Sequence, residues 1–262
     1  MSLVGKTPSN SFKDLLHVDN SNNGLTTSDK RVKSGDGTSS CLSLSDDVLH
    51  VQPQNDDTGS AVRVNSKDNT ARFVVDTDTP AVKALGQYVN TNIKQFMFSS
   101  VNAHPSSTNW TMLDSIGGGR FNSSPSTMGT GSTPATTLTV STTADDLVQS
   151  IWYVPFNIAI DSCNVWFGAD ASGGDTVKFS IMSYTIDSAN GSTGGDLSAG
   201  AEHCASASTI AGAGYEQAYY QALTVSSANV DAGKVITANV LQDGTSSDLT
   251  VNLQLVYHLR ST

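Results

Sequence analysis

Leu15-Leu16-His17-Val18, Leu42-Ser43-Leu44, Val48-Leu49-His50-Val51, Ala61-Val62-Arg63-Val64 and Phe73-Val74-Val75 punctuate the first third of the chain. Between them lie Asn20-Ser21-Asn22-Asn23-Gly24, Ser34-Gly35-Asp36-Gly37-Thr38, Asn55-Asp56-Asp57-Thr58-Gly59 and Ser66-Lys67-Asp68-Asn69-Thr70. Short apolar runs bounded by Gly, Asn, Asp and Ser read as short strands joined by turns. Strands this short bury little by themselves. Their unpaired edges and apolar faces are completed most simply by other chains. The pieces follow one another without a fixed motif, so this is a succession of strands and not a sequence repeat.

Composition agrees with a turn-rich, all-β chain. Of 262 residues, 37% are hydrophobic and only 15% charged, too few charges for charge-driven disorder. The acidic residues are Asp throughout except Glu202 and Glu216, and Asp favours turns over helix interiors. Net charge is −10 and unevenly placed: residues 1–94 hold ten Lys/Arg against eleven Asp, residues 134–262 three against twelve Asp/Glu. An acidic surface argues against nucleic acid as a partner, because displacing counterions needs Lys and Arg. Cys41, Cys163 and Cys204 are odd in number and form no CxxC pair, so a disulfide framework is not expected. The N-terminus has no apolar signal region, and no run approaches the length of a membrane span.

Three regions follow: a short-strand region over 1–94, a transition over 95–133, and a C-terminal domain over 134–262. Within the first, Thr79 to Gly86 reads as one helical turn with Pro80 near its start, and Ile93 to Phe98 as extended chain. The Ser/Thr/Gly/Pro-rich run 122–134 has linker composition. In the C-terminal domain, Val251, Leu253, Leu255, Tyr257 and Leu259 alternate with Asn252, Gln254, Val256, His258 and Arg260, which is a strand with one buried face. Val148–Tyr153, Phe156–Ile160, Asn164–Phe167, Thr176–Ile186, Gln217–Val225 and Val235–Leu241 also read as strands, with Asp243-Gly244 as hairpin chemistry. Size and strand number point to an antiparallel β-sandwich, jelly-roll-like, with loops at 168–175 and 188–214 and negligible helix.

No constellation for catalysis emerges. Gly117-Gly118-Gly119-Arg120 lacks the strand–loop–helix setting and Lys-Ser/Thr of a phosphate loop and reads as a hinge. His203-Cys204 lacks further zinc ligands and reads as loop residues beside a buried thiol. Asp170 to Asp175 and Asn55 to Thr58 lack the bidentate Glu of a calcium loop. The pairs Asp46-Asp47, Asp56-Asp57 and Asp145-Asp146 point to opposite faces if they lie on strands, so they form no acid/base dyad. No enzyme, cofactor or metal is expected. Tyr215, Tyr219 and Tyr220, beside a long Gly/Ala/Ser loop, are candidates to stack on a glycan, against the alternative that Tyr219 or Tyr220 packs as strand core. Trp152 and Trp166 read as core or subunit interface.

Gly5-Lys6-Thr7-Pro8-Ser9-Asn10, Phe12 to Gly24, Val32 to Ser45 and Leu241 to Leu253 resemble phrases in tailed-bacteriophage structural proteins of the fibre and head-decoration type, particularly those of marine phages. The likeness is best over the first hundred residues and carries no catalytic motif. It implies a virion protein, a homotrimer whose N-terminal segment docks on capsid or tail proteins. It also implies a distal β-rich head, as in a head fibre, decoration protein or spike, or in a tail fibre that recognises a host surface glycan. On the strand reading, Leu42, Leu44, Val51, Val62, Val64, Phe73 and Val75 supply the core of a trimeric stalk of intertwined β-structure.

Overall fold

The computed structural model describes residues 16–21, 23–53, 57–78, 81–99, 108–116, 127–139, 144–170, 176–187, 196–206, 210–211, 216–242 and 249–260. The chain is all-β with antiparallel pairing, and it divides into two units, Met1–Val89 and Asn90–Thr262.

The first unit holds two four-stranded sheets, each a meander in chain order. The first contains β1 (His17–Val18), β2 (Lys30–Lys33), β3 (Ser39–Leu44) and β4 (Leu49–Val51). The second contains β5 (Val62–Asn65), β6 (Ala71–Asp76), β7 (Ala81–Ala84) and β8 (Gln87–Tyr88). Consecutive strands pair because the turn residues leave no length for anything else. Ser34-Asp36-Gly37-Thr38 closes β2 on β3, with Ser34 N–H donating to the Thr38 carbonyl at 2.9 Å and the Thr38 N–H donating to the Asp36 carboxylate at 3.1 Å. The Ser34 hydroxyl also donates to Asp36. Residues 81–84 form strand β7 and not the expected helical turn. Val82 pairs Val75 across β6, and Leu85 and Gly86 both take positive φ, 54° and 80°, between the paired Ala84 and Gln87. Two residues in that conformation make a tight hairpin, which continues the sheet. The Pro80 part of that expectation lies outside the described residues.

The second unit is one continuous, curled sheet. Its members are β9 (Thr91–Ser99), β10 (Thr111–Met112), β11 (Trp152–Tyr153), β12 (Ile158–Asp170), β13 (Thr176–Ile186), β14 (Leu197–Ala205), β15 (Ile210–Ala211), β16 (Glu216–Val225), β17 (Asn229–Val230), β18 (Lys234–Gln242) and β19 (Leu249–Leu259). The order is β10-β18-β13-β14-β16-β12-β19-β9, with β11, β15 and β17 as short additions. The two ends of that path meet: Met97 on β9 and Asp114, two residues past β10, exchange two backbone hydrogen bonds of 2.8 Å. The curl encloses a core of Phe96, Val165, Phe179, Ile181, Ile236, Leu253 and their neighbours, all buried. The described part of the segment 95–133 belongs here, with Phe96, Trp110, Met112, Leu113 and Met128 buried.

Several expected elements differ. The first half of Val148–Tyr153 is helix, the end of α1 (Ala144–Ser150), and its last two residues are the short β11. Leu147 and Ile151 lie four apart, and one helical turn points both at the same packing surface. Ile158–Ile160, the strand part of the expected Phe156–Ile160 run, and Asn164–Phe167 belong to the single strand β12, which absorbs a register shift between Ile160 and Ser162 as a bulge. The largest departure is β14, which occupies ground read as loop. Its sequence, Leu-Ser-Ala-Gly-Ala-Glu-His-Cys-Ala, has small residues where a strand pattern needs large ones. Gly200 shows why: a Cβ there would stand 2.5 Å from the Tyr184 ring and 2.8 Å from the Thr136 backbone.

Candidate functional site

The curled sheet has two outer faces, and they are treated differently. Over β13 and β18 the outer face is covered. Met182, Tyr184, Val235 and Leu197 pack there against Trp110, Met128 and Leu147 in a second core. The covering strap is pinned by Trp110 Nε1 donating to the Gly131 carbonyl (3.0 Å) and Tyr184 O–H donating to the Ala135 carbonyl (2.8 Å). Burial pushes the Tyr184 phenol pKa well above its ordinary value. Most residues on both faces of β13 and β18 are therefore buried, polar Ser180, Ser183, Thr237 and Asn239 among them.

Over β16, β12, β19 and β9 the inner face is core, while the outer side chains are only half-buried or exposed. Register aligns them in rows. Tyr220, Trp166, Asn252 and Met97 make one row; Ala222, Asn164, Gln254 and Gln95 make the next; Ser162, Val256 and Ile93 make a third. These rows hold no Asp, Glu, Lys, Arg or His. The His258–Asp161 ion pair, 2.8 Å, borders them at the bulge. Trp166 and Tyr220 touch, ring centroids 5.3 Å apart and planes at 49°, and are 42% and 58% exposed. Tyr220 O–H donates to Asn164 Oδ1 at 2.9 Å, which fixes the ring. Asn252 Oδ1, between Trp166 and Met97, is shielded from solvent and has no hydrogen-bond partner.

Of the three tyrosines named from sequence, Tyr220 joins this surface. Tyr219 points inward and stacks on Phe167, 5.0 Å between centroids and 18° between planes, because alternate residues of β16 face opposite sides. Tyr215 lies outside the described residues. Trp166, read from sequence as core or interface, is surface on this chain; its position one strand from Tyr220 needed the register, which no sequence signal supplies. Trp110 is core, and Trp152 is half-buried against Tyr257, 5.0 Å between centroids.

The seven apolar residues assigned to a stalk core lie on the two meanders. Val62, Val75 and Val82 oppose one another in register, as do Val64, Phe73 and Ala84, so all six share one face. Leu42 opposes Val51, and Leu44 opposes Leu49, on a face of the first sheet. Val64 and Phe73 are exposed, and Leu42, Leu44, Val51, Val62 and Val75 half-buried. Among the described residues of this unit, Val32 is the one fully buried hydrophobic side chain.

The chemistry-bearing groups form no reaction centre among the described residues. His203 is on β14 and buried, not in a loop. Its Nδ1 lies 2.7 Å from the Ser227 carbonyl, which can only accept, so Nδ1 carries the proton and Nε2 accepts from the Ser183 hydroxyl at 2.8 Å. The polarity is that of a base-activated serine. Ser183 is itself buried, however, and a nucleophile must reach a substrate atom within about 3–3.5 Å. Desolvation holds His203 below its ordinary pKa. Cys163 and Cys204 are buried core neighbours; the hydrogen bond to Cys204, then burial, pushes the Cys163 thiol far up, which suppresses the reactive thiolate. Lys94 donates to the Ser115 carbonyl at 2.5 Å, and desolvation lowers its pKa. Among the described residues no three His, Cys, Asp or Glu side chains converge as metal ligands, and no helix is long and apolar enough to cross a membrane. Gly117 to Arg120, Asn55-Asp56 and residues 171–175 lie outside the described residues.

No protein-family model matches this chain, and no curated protein is similar to it.

Proposed function

We propose that this chain is a non-enzymatic structural protein of a tailed-bacteriophage virion: a homotrimeric head fibre, capsid decoration or spike. The N-terminal unit is its trimeric short-strand stalk and attachment segment, contacting other virion proteins of the capsid or tail. The C-terminal unit is its projecting head, an antiparallel, jelly-roll-like sandwich. The observation that supports this is the unmatched apolar face of each meander. A row such as Val62, Val64, Phe73, Val75, Val82 and Ala84 has no covering layer in its own sheet, and sheets are stable when such a face is covered. Three copies around an axis would cover it. Native mass spectrometry of the full chain tests the stalk; a stable monomer of 27.4 kDa would overturn it. Labelled-antibody imaging of intact particles tests the location.

A second reading, in which the C-terminal unit recognises a host surface glycan, is favoured by the exposed Trp166–Tyr220 pair.

A further inference from the structure

We infer that the outer face of β16, β12, β19 and β9 is a binding platform for a neutral glycan, centred on Trp166 and Tyr220 with Asn164, Asn252 and Gln254 as its polar contacts. The inference rests on the glycan-recognition reading of the C-terminal unit and specifies where that recognition occurs and which sugars it selects.

Four observations converge. Large aromatic rings are seldom left in water as an adjacent pair, and Trp166 and Tyr220 are half-exposed on a sheet whose other wing is fully covered. Their negative π faces attract polarised C–H groups, which a pyranose ring presents on its apolar side. Side-chain amides occupy the same and the neighbouring row: Asn252 beside Trp166, and Asn164 and Gln254 directly opposite each other. Each amide offers both two N–H donors and a carbonyl acceptor, the complement a sugar hydroxyl requires.

Pre-organisation is the third. The Tyr220 hydroxyl is spent as a donor on Asn164 Oδ1, which leaves its oxygen as an acceptor and the Asn164 amide nitrogen as a donor. Asn252 Oδ1 is a shielded acceptor with no partner in the protein, an arrangement that costs about 1–3 kcal/mol unless something else donates to it.

Charge is the fourth. The chain carries −10, yet these rows contain no Asp, Glu, Lys, Arg or His. With no Lys or Arg to pair a carboxylate or sulfate, and an acidic protein around it, the platform selects against anionic sugars. Neutral hexopyranose chains remain. A second copy of this chain is the competing occupant. The mixture of amides with only two strongly exposed aliphatic side chains, Ile93 and Met97, suits it less than the meander faces do.

The experiment is a glycan array on the intact chain, carrying neutral gluco- and galacto-oligosaccharides beside uronate, sialylated and sulfated ones. Trp166→Ala, Tyr220→Ala, Tyr220→Phe and the off-site control Tyr153→Ala are run in parallel. Neutral-glycan binding that falls at least about tenfold in Trp166→Ala and Tyr220→Ala, less in Tyr220→Phe and not in Tyr153→Ala, with circular dichroism unchanged, supports the platform. Neutral binding that survives both alanine variants places recognition elsewhere and overturns the inference while leaving the glycan reading intact. Binding confined to anionic sugars overturns it likewise. No binding to any sugar overturns both. A lower assembly mass for Trp166→Ala identifies the face as a contact between copies and overturns the platform.

Discussion

The two units of this chain use antiparallel strands to opposite ends. In the C-terminal unit one sheet curls until its ends meet at Met97 and Asp114, and inward side chains from distant strands fill one core. In the N-terminal unit two meanders stay open, and the apolar residues of each lie on a face that their own sheet cannot cover. Strand length accounts for the difference. The strands β12, β13 and β19 run 11 to 13 residues, long enough to twist and coil around a core. Those of the first unit run two to six. The C-terminal core is closed within the chain, whereas on the proposed reading the open faces of the N-terminal unit are covered by other copies.

The comparison can be broken most decisively at the open face. Val64→Asp with Phe73→Asp, which puts two charges on the β5–β6 surface, should convert the proposed trimer wholly to monomer in native mass spectrometry, with the C-terminal unit's melting transition retained. An unchanged assembly would end the distinction between the units.

Truncating the closed core comes next. Phe179→Ala removes a 1% exposed ring packed on Phe167 and should cost the C-terminal unit about 3–5 kcal/mol in denaturant unfolding. The matched change Phe73→Ala, in a monomeric background, should cost less than about 1 kcal/mol.

Gly200→Ala sharpens the contrast within the curled sheet, because its Cβ meets the Tyr184 ring and the Thr136 backbone at under 3 Å. A loss of about 1–3 kcal/mol is expected, and Gly200→Ala with Tyr184→Ala should recover part of the steric component.

The smallest effect is electrostatic. Burial lowers the pKa of His203 from 6.5. The unfolded chain then binds a proton that the folded chain refuses, so His203's full contribution is present above pH 6.5. It declines as pH falls below 6.5, until the folded histidine itself protonates. Thermal melts from pH 7.5 down to 5.5 should show a shallower fall for His203→Gln than for the parent chain.

Much of the fold was legible. The turn-bounded pieces over 15–75 became strands of the two meanders, since Gly, Asn and Asp dictate turns locally. The alternation from Val251 to Leu259 became β19. What escaped notice depends on distant partners. Small residues hid β14, because their size serves the Tyr184 ring and the strap. Residues 148–150 fell in a helix because a single buried Leu147–Ile151 surface was within reach. The site was half legible: composition pointed to exposed tyrosines, but nothing local distinguishes Tyr219 from Tyr220 or brings Trp166 to its side.

The sequence by itself determined an all-β chain with short strands first, long strands last and charge concentrated in the second part, because turn chemistry and period-two alternation act over a few residues. Only the tertiary structure decided which wing of the curled sheet is covered, which aromatic rings meet in water, and that the sheet closes on itself. Those outcomes depend on strand register and curl, which are set by packing between residues far apart in the chain.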